Sequence, residues 1–193
     1  MKNMMKKRLL ATILLIMSGG AMAAESKSVI NVSGKITADS CAIYGSDNMN
    51  PTANVALPDV DTQALSAGIY QYRQFRFNIA CTANLPVLTA TFSANAADSD
   101  VPGYGSKSVI ANTGSARNVG IGLIGATSVT ETGEPTGYLP LGVESAGSPN
   151  LNNPLISTTH RFIFGAQIVP LKKDEPVMPG TVSGTATFVL NYT

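Results

Sequence analysis

Gly180-Thr-Val-Ser-Gly-Thr-Ala-Thr-Phe-Val-Leu-Asn-Tyr-Thr193 closes the chain, and within it Ala186, Phe188, Leu190 and Tyr192 fall on every second residue. A period of two places these side chains on one face of a β-strand. The strand begins near Ser183 and keeps its alternation to Tyr192, leaving one further residue. A long apolar strand at the edge of a sheet templates pairing with other chains unless something covers it. The expectation is an outer edge that requires a partner strand.

The same alternation recurs upstream. Phe75, Phe77, Ile79 and Cys81 share one side of a second strand, and Phe162, Phe164, Ala166 and Ile168 share one side of a third. Further candidates run over residues 29–37, 87–92, 108–112, 119–124 and 138–143. Turn-forming clusters separate them, among them Gly133-Glu-Pro-Thr-Gly137 and Gly147-Ser-Pro-Asn150. No stretch sustains a helical period. Short strands punctuated by turns, with no repeat and no interdomain linker, predict one all-β domain built as a β-sandwich.

At the other end, Lys2, Lys6, Lys7 and Arg8 precede an apolar run over residues 9–17 and then the small residues Ser18-Gly-Gly-Ala-Met-Ala23. These three zones read as a secretory signal peptide over residues 1–23, cleaved after Ala23. A spanning helix needs roughly 20 apolar residues, and no run reaches that length, so no membrane span is expected in the mature form. Removing 23 of the 193 residues leaves 170, a usual size for one domain with a sizeable core. The formal charge of +1 falls to −3, because four basic residues and no acidic ones depart. The remaining Lys and Arg are scattered, which argues against nucleic acid as a partner.

Export also governs the reading of the two cysteines, Cys41 and Cys81. Beyond the inner membrane the surroundings are oxidising, so a structural disulfide is the default. Metal ligation and a reactive thiol are the alternatives, and both lack neighbouring His or Cys partners in the sequence.

Several patterns associated with chemistry have simpler readings. Gly120-Ile-Gly-Leu-Ile-Gly125 matches a dinucleotide-binding pattern, but that pattern works only where a strand turns into a helix. The residues that follow are β-branched and turn-rich, so close packing at a strand is the better account, and no cofactor is expected. His160, the one histidine, has no Gly-x-Ser-x-Gly elbow to serve and cannot form a zinc site with two bonded cysteines. Asp59 with Asp61, and Asp98 with Asp100, lack the pattern of a calcium loop and read as solvated loop acids. Lys172-Lys-Asp-Glu175 reads as a charged surface turn. Arg73 and Arg76 stand among Tyr70, Tyr72, Phe75 and Phe77, where an amphipathic strand accounts for them better than a ligand surface does. No catalytic or metal-binding residues are expected.

The C-terminal stretch, with its Gly180, alternating apolar residues and penultimate Tyr192, resembles the subunits of fimbriae assembled by a chaperone and an usher, the family of type 1 and P pilins. Ser33-Gly-Lys-Ile-Thr-Ala-Asp-Ser-Cys41, Phe77-Asn-Ile-Ala-Cys81 and Arg117-Asn-Val-Gly-Ile-Gly122 are similar to that family's first cysteine strand, second cysteine strand and Asn-Val-Gly strand, in the same order. The resemblance implies an incomplete immunoglobulin-like β-sandwich lacking its last strand, with a hydrophobic groove beside the C-terminal strand. It also implies that a periplasmic chaperone fills the groove first. An outer-membrane usher then exchanges the chaperone for a donor strand from a neighbouring, identical or related subunit, a recognised mode of strand addition.

Carried onto this chain, the resemblance implies that Gly180, Ala186, Phe188, Leu190 and Tyr192 contribute to the groove and the chaperone contact. Residues 24–32 would form the donor extension and residues 33–193 the pilin domain. Alternation sends Ser28, Ile30 and Val32 into a neighbour's groove and Lys27, Val29 and Asn31 outward. At about 3.3 Å per residue the extension reaches roughly 30 Å, close to the length of the C-terminal strand. The implied role is a structural subunit of an extracellular fimbria supporting adhesion; the alternative is a minor adaptor or adhesive subunit that binds a host ligand.

Overall fold

The computed structural model describes residues 28–35, 41–45, 52–81, 88–125, 137–146, 148–149 and 159–192. The signal segment 1–23 and residues 24–27 of the expected donor extension lie outside them. Among the described residues the strands in chain order are β1 (Ser28–Lys35), β2 (Cys41–Tyr44), β3 (Thr52–Leu57), β4 (Tyr72–Cys81), β5 (Leu88–Ala94), β6 (Ala96–Ser99) and β7 (Gly105–Ala111). They continue with β8 (Val119–Gly125), β9 (Gly137–Leu139), β10 (Ser145–Ala146), β11 (Ser148–Pro149), β12 (Thr159–Pro170) and β13 (Ser183–Tyr192). One short helix, α1 (Thr62–Ser66), follows β3, and its first turn is capped by Asp61, whose side chain accepts from the Gln63 N–H at 2.7 Å.

These strands form two sheets, one in the order β10-β5-β13-β1-β3 and the other in the order β2-β4-β12-β8-β7-β6, with β11 against β12 and β9 against β8. The sequence alternation decides which side chains meet between them. Phe75, Phe77, Ile79 and Cys81 are all buried, as are Phe162, Phe164, Ala166 and Ile168. All six phenylalanines of the chain belong to one core, with Phe92 and Phe188 entering from the first sheet. The architecture is the all-β sandwich that the alternation predicts, and it is immunoglobulin-like, as the resemblance implies.

Three expectations are adjusted. The strand expected over residues 138–143 is limited to Gly137–Leu139, because Pro140 has no N–H to donate and Leu141 and Gly142 turn the chain. Asp98 lies in β6 rather than in a loop, and Asp61 caps a helix. The third concerns the outer edge of the C-terminal strand, where β13 has β5 on one side and β1 on the other. β1 is able to lie there because Ile30 and Val32 alternate with Asn31 and Ser33, so its apolar face continues the core.

Candidate functional site

The site is built around the place that β1 occupies. β1 pairs antiparallel with β3, Val32 opposite Ala53 and Ile30 opposite Val55, and parallel with β13, Ile30 beside Gly184 and Val32 beside Ala186. Among the described strand pairs, β1 with β13 is the parallel one. Ile30 and Val32 are 0% exposed, whereas Asn31 and Ser33 face solvent and Val29 is half-buried. Without β1, the facing edges of β3 and β13 would border a strand-wide slot floored by the phenylalanine core.

The β13 wall is held by packing and by polar contacts. Phe188 lies stacked at 4.4 Å from Phe77 and within 6 Å of Phe92, Phe162 and Phe164, measured between ring centroids. Ala186 is buried and Leu190 is half-buried against the same core. Gly184 is bare of side chain where the facing sheet presses close: an added Cβ would lie 2.8 Å from Ile110 Cγ2 and 2.9 Å from Ile121 Cδ1. Tyr192 pairs with Leu88 at the end of the ladder.

Gly180 lies just before β13, where an added Cβ would come within 2.4 Å of the Ala116 nitrogen. Around it a polar clasp joins the start of β13 to the segment after β7. The Asn112 Oδ1 accepts from the Gly114 N–H at 2.8 Å and the Ser183 N–H at 2.9 Å, while its Nδ2 donates to the Ala116 carbonyl at 2.8 Å. Thr181 N–H donates to Ser115 Oγ at 2.9 Å, and Ser115 N–H donates to Thr181 Oγ1 at 3.0 Å. A cleft of about 160 Å³, walled by Val60, Leu65, Ile168, Met178 and Val182, lies between the segment that follows β3 and the one that precedes β13.

The structure therefore gathers Ile30, Val32, Ala186 and Phe188 into one apolar layer of a single chain, with Leu190 at its margin and Gly180 outside it. The described side chains do not include those of Ser28 and Tyr192. Cys41 and Cys81 are joined in a disulfide and stand directly opposite one another across β2 and β4, six residues downstream of β1. Sequence reasoning missed β3, although Ala53, Val55 and Leu57 alternate there, and it missed Gly184, a glycine inside an alternating strand, which is a signal of close approach.

The residues weighed for chemistry stand elsewhere. Gly120 to Gly125 lies within the buried strand β8, and Gly122 leaves room for Tyr104, whose hydroxyl donates to the Leu123 carbonyl at 2.8 Å. Burial pushes the Tyr104 hydroxyl pKa well above the ordinary range. Burial holds His160 below the usual imidazole value, and its Nε2 has no hydrogen-bond partner. The Lys107 N–H, and after it the Ser106 hydroxyl, lower the pKa of Asp98 by hydrogen bonding to it, which braces a hairpin in which Lys107 has φ 50°. Asp100 pairs with Lys172 at 3.4 Å. Arg76 is exposed between Phe75 and Phe77, whereas Arg73, exposed and on the same side of β4 as those rings, donates from Nε to the Ala56 carbonyl of β3 at 3.3 Å. Among the described residues, no three His, Cys, Asp or Glu side chains gather as metal ligands, and no helix is long and apolar enough to cross a membrane.

A family model described as fimbrial protein matches residues 30–193, which includes β1, both cysteines and the whole of β13. No curated protein matches the chain.

Proposed function

Since the chain belongs to the fimbrial protein family, we propose that this subunit of an extracellular surface appendage assembles non-covalently by donor-strand exchange. The observation that carries the reading is the position of β1. It is the strand nearest the N-terminus among the described ones, it fills a slot bordered on both sides, and its hold on the core consists chiefly of Ile30 and Val32. An equivalent strand from a neighbouring copy meets the same two edges and the same apolar layer. Backbone hydrogen bonds then supply the ladder, and alternate side chains fix the register.

On this reading the signal peptide ends at Ala23 and the chain passes through the periplasm. There a chaperone strand covers the Ala186, Phe188 and Leu190 face until an outer-membrane usher replaces it with residues 24–32 of the next subunit. Repetition gives an open head-to-tail filament that supports adhesion, and no catalytic step is involved. Burying Ile30 and Val32 contributes about 1.5 to 3 kcal/mol each, so either residue is a sensitive place to interrupt assembly.

Ile30→Asp, expressed with the chaperone and usher, should yield a chaperone-bound subunit and no filaments by electron microscopy. Filaments of normal length from this variant would overturn the assignment of Ile30 to the donor strand.

A further inference from the structure

The outer side of the second sheet carries tyrosines seated on glycines. Tyr72 reaches from β4 across β12, where an added Cβ on Gly165 would lie 2.8 Å from its Cδ2 and 3.4 Å from its Cγ. Tyr138 of β9 lies against Gly103, whose added Cβ would fall 2.9 Å from the ring Cγ. Tyr104 covers Gly122 and packs on Tyr138 with ring centroids 4.9 Å apart, while its hydroxyl is fixed by the Leu123 carbonyl at 2.8 Å and by Gln167 Nε2, which donates to it at 3.4 Å. The alternation of β4 explains why Tyr72 turns outward, but not why bare backbone lies beneath each ring. Tyr72 and Tyr138 remain 46% and 41% exposed, so both rings are held in place and still open to a ligand. Gly165, Ile124 and Tyr138 share one row across β12, β8 and β9, which sets the two seats roughly 10 Å apart at two strand spacings.

Beside the rings, Gln74, Arg76 and Arg161 are exposed. Among the described residues, the outward positions of β4, β12, β8 and β9 hold these two arginines and no carboxylate, although the mature chain has a formal charge of −3. Fixed, open rings with an amide and positive charge beside them suit a hydroxylated, anionic ligand. The C–H groups of a sugar ring are slightly positive and settle on the electron-rich face of a tyrosine. A guanidinium takes a carboxylate through paired, charge-assisted hydrogen bonds. The same face of a second copy would instead bring arginine against arginine, which is unfavourable.

We propose that the outer face of β4, β12, β8 and β9 binds an acidic glycan, with sugar rings stacked on Tyr72 and Tyr138 and carboxylates drawn to Arg76 and Arg161. The slot at β1 belongs to the other sheet, so this binding and assembly use different faces. A filament repeats the contact once per subunit, which raises avidity without any new contact.

The probe is a fluorescein-labelled hyaluronan octasaccharide, in which every second ring is a glucuronate, titrated with the full mature chain and followed by anisotropy. Labelled maltooctaose is the neutral reference. Wild type should bind the acidic octasaccharide saturably and at least about tenfold more tightly than the neutral one, and added salt should weaken the binding. Tyr72→Ala and Tyr138→Ala should each cost about tenfold in affinity, whereas Tyr72→Phe, which keeps the ring, should stay within about twofold of wild type. Arg161→Gln should weaken the acidic ligand alone, with an unchanged unfolding midpoint and unchanged filaments. Absence of saturable binding by wild type, equal affinity for the two sugars, or binding indifferent to both tyrosines would overturn the proposal. Self-association of wild type that Tyr72→Ala abolishes, with no glycan bound, would overturn it in favour of a second copy.

Discussion

Phe188 of β13 stacks on Phe77 of β4, with ring centroids 4.4 Å apart and planes 24° from parallel, so the strand that walls the slot is fastened to the opposite sheet. Three more phenylalanines surround Phe188, and its side chain is 0% exposed. Phe188→Ala should therefore cost about 3 to 5 kcal/mol of stability, the range for large aromatic truncations in a core. Denaturant unfolding of the purified chain measures it, and Phe188→Leu should lose less because most of the volume is kept.

Gly184 offers the reverse test, since it is a place where adding atoms does harm. Gly184→Ala introduces a Cβ against Ile110 and Ile121, and overpacking of this kind costs about 1 to 3 kcal/mol. Ile121→Val removes the Cδ1 atom that the new Cβ would meet at 2.9 Å. Combined with Gly184→Ala, it should be less damaging than the sum of the two single changes, as a double-mutant cycle reports.

His160 gives the chain a pH dependence of predictable sign. Burial lowers its folded-state pKa below the unfolded value, so the unfolded chain binds the proton more readily. The stability that the neutral imidazole allows is complete above the ordinary histidine range. It declines as pH falls through that range and levels off below the folded-state pKa. Unfolding midpoints between pH 8 and pH 5 should show this decline in wild type, and His160→Gln should flatten it.

The disulfide should be worth a measurable share of total stability. Its cysteines are 40 residues apart, for which chain-entropy arguments give about 4 kcal/mol. The paired variant Cys41→Ser/Cys81→Ser should lower the urea midpoint accordingly. A shift corresponding to less than about 1 kcal/mol would show that the unfolded chain gains little freedom when the link is removed.

The parts of the fold legible in sequence are those where large apolar residues recur every second position. Phe75 to Cys81, Phe162 to Ile168 and Ala186 to Phe188 each announce a buried face, and each has one. Alternation assigns a face but not a neighbour, which is why the inward direction of Ile30 and Val32 was readable while their place in this chain's own sheet was not. β3 was hidden because Ala53 is small and weakly apolar beside Val55 and Leu57.

Polar side chains that act at long range leave no local signature. Asn112 reaches Ser183 across 71 residues, and Asn118, at φ 57°, holds the Lys172 N–H at 2.8 Å and the Glu175 carbonyl at 2.7 Å. The left-handed conformation favours Asn among residues with a side chain, and the amide then has a carbonyl oxygen and an N–H free to pin the turn at residues 172–175. Only the folded arrangement reveals either task.

The cysteine pair also sets a route for mechanical force. In a filament joined as proposed, tension enters each subunit through the strand that precedes Cys41, and the bond to Cys81 passes it straight to β4 and from there to β12. The covalent path skips the stretch between the two cysteines, within which β3 still bears load as one edge of the slot that grips the inserted strand. Pulling shears the inserted strand against β3 and β13, while the bond keeps the two ends of the 40-residue loop together.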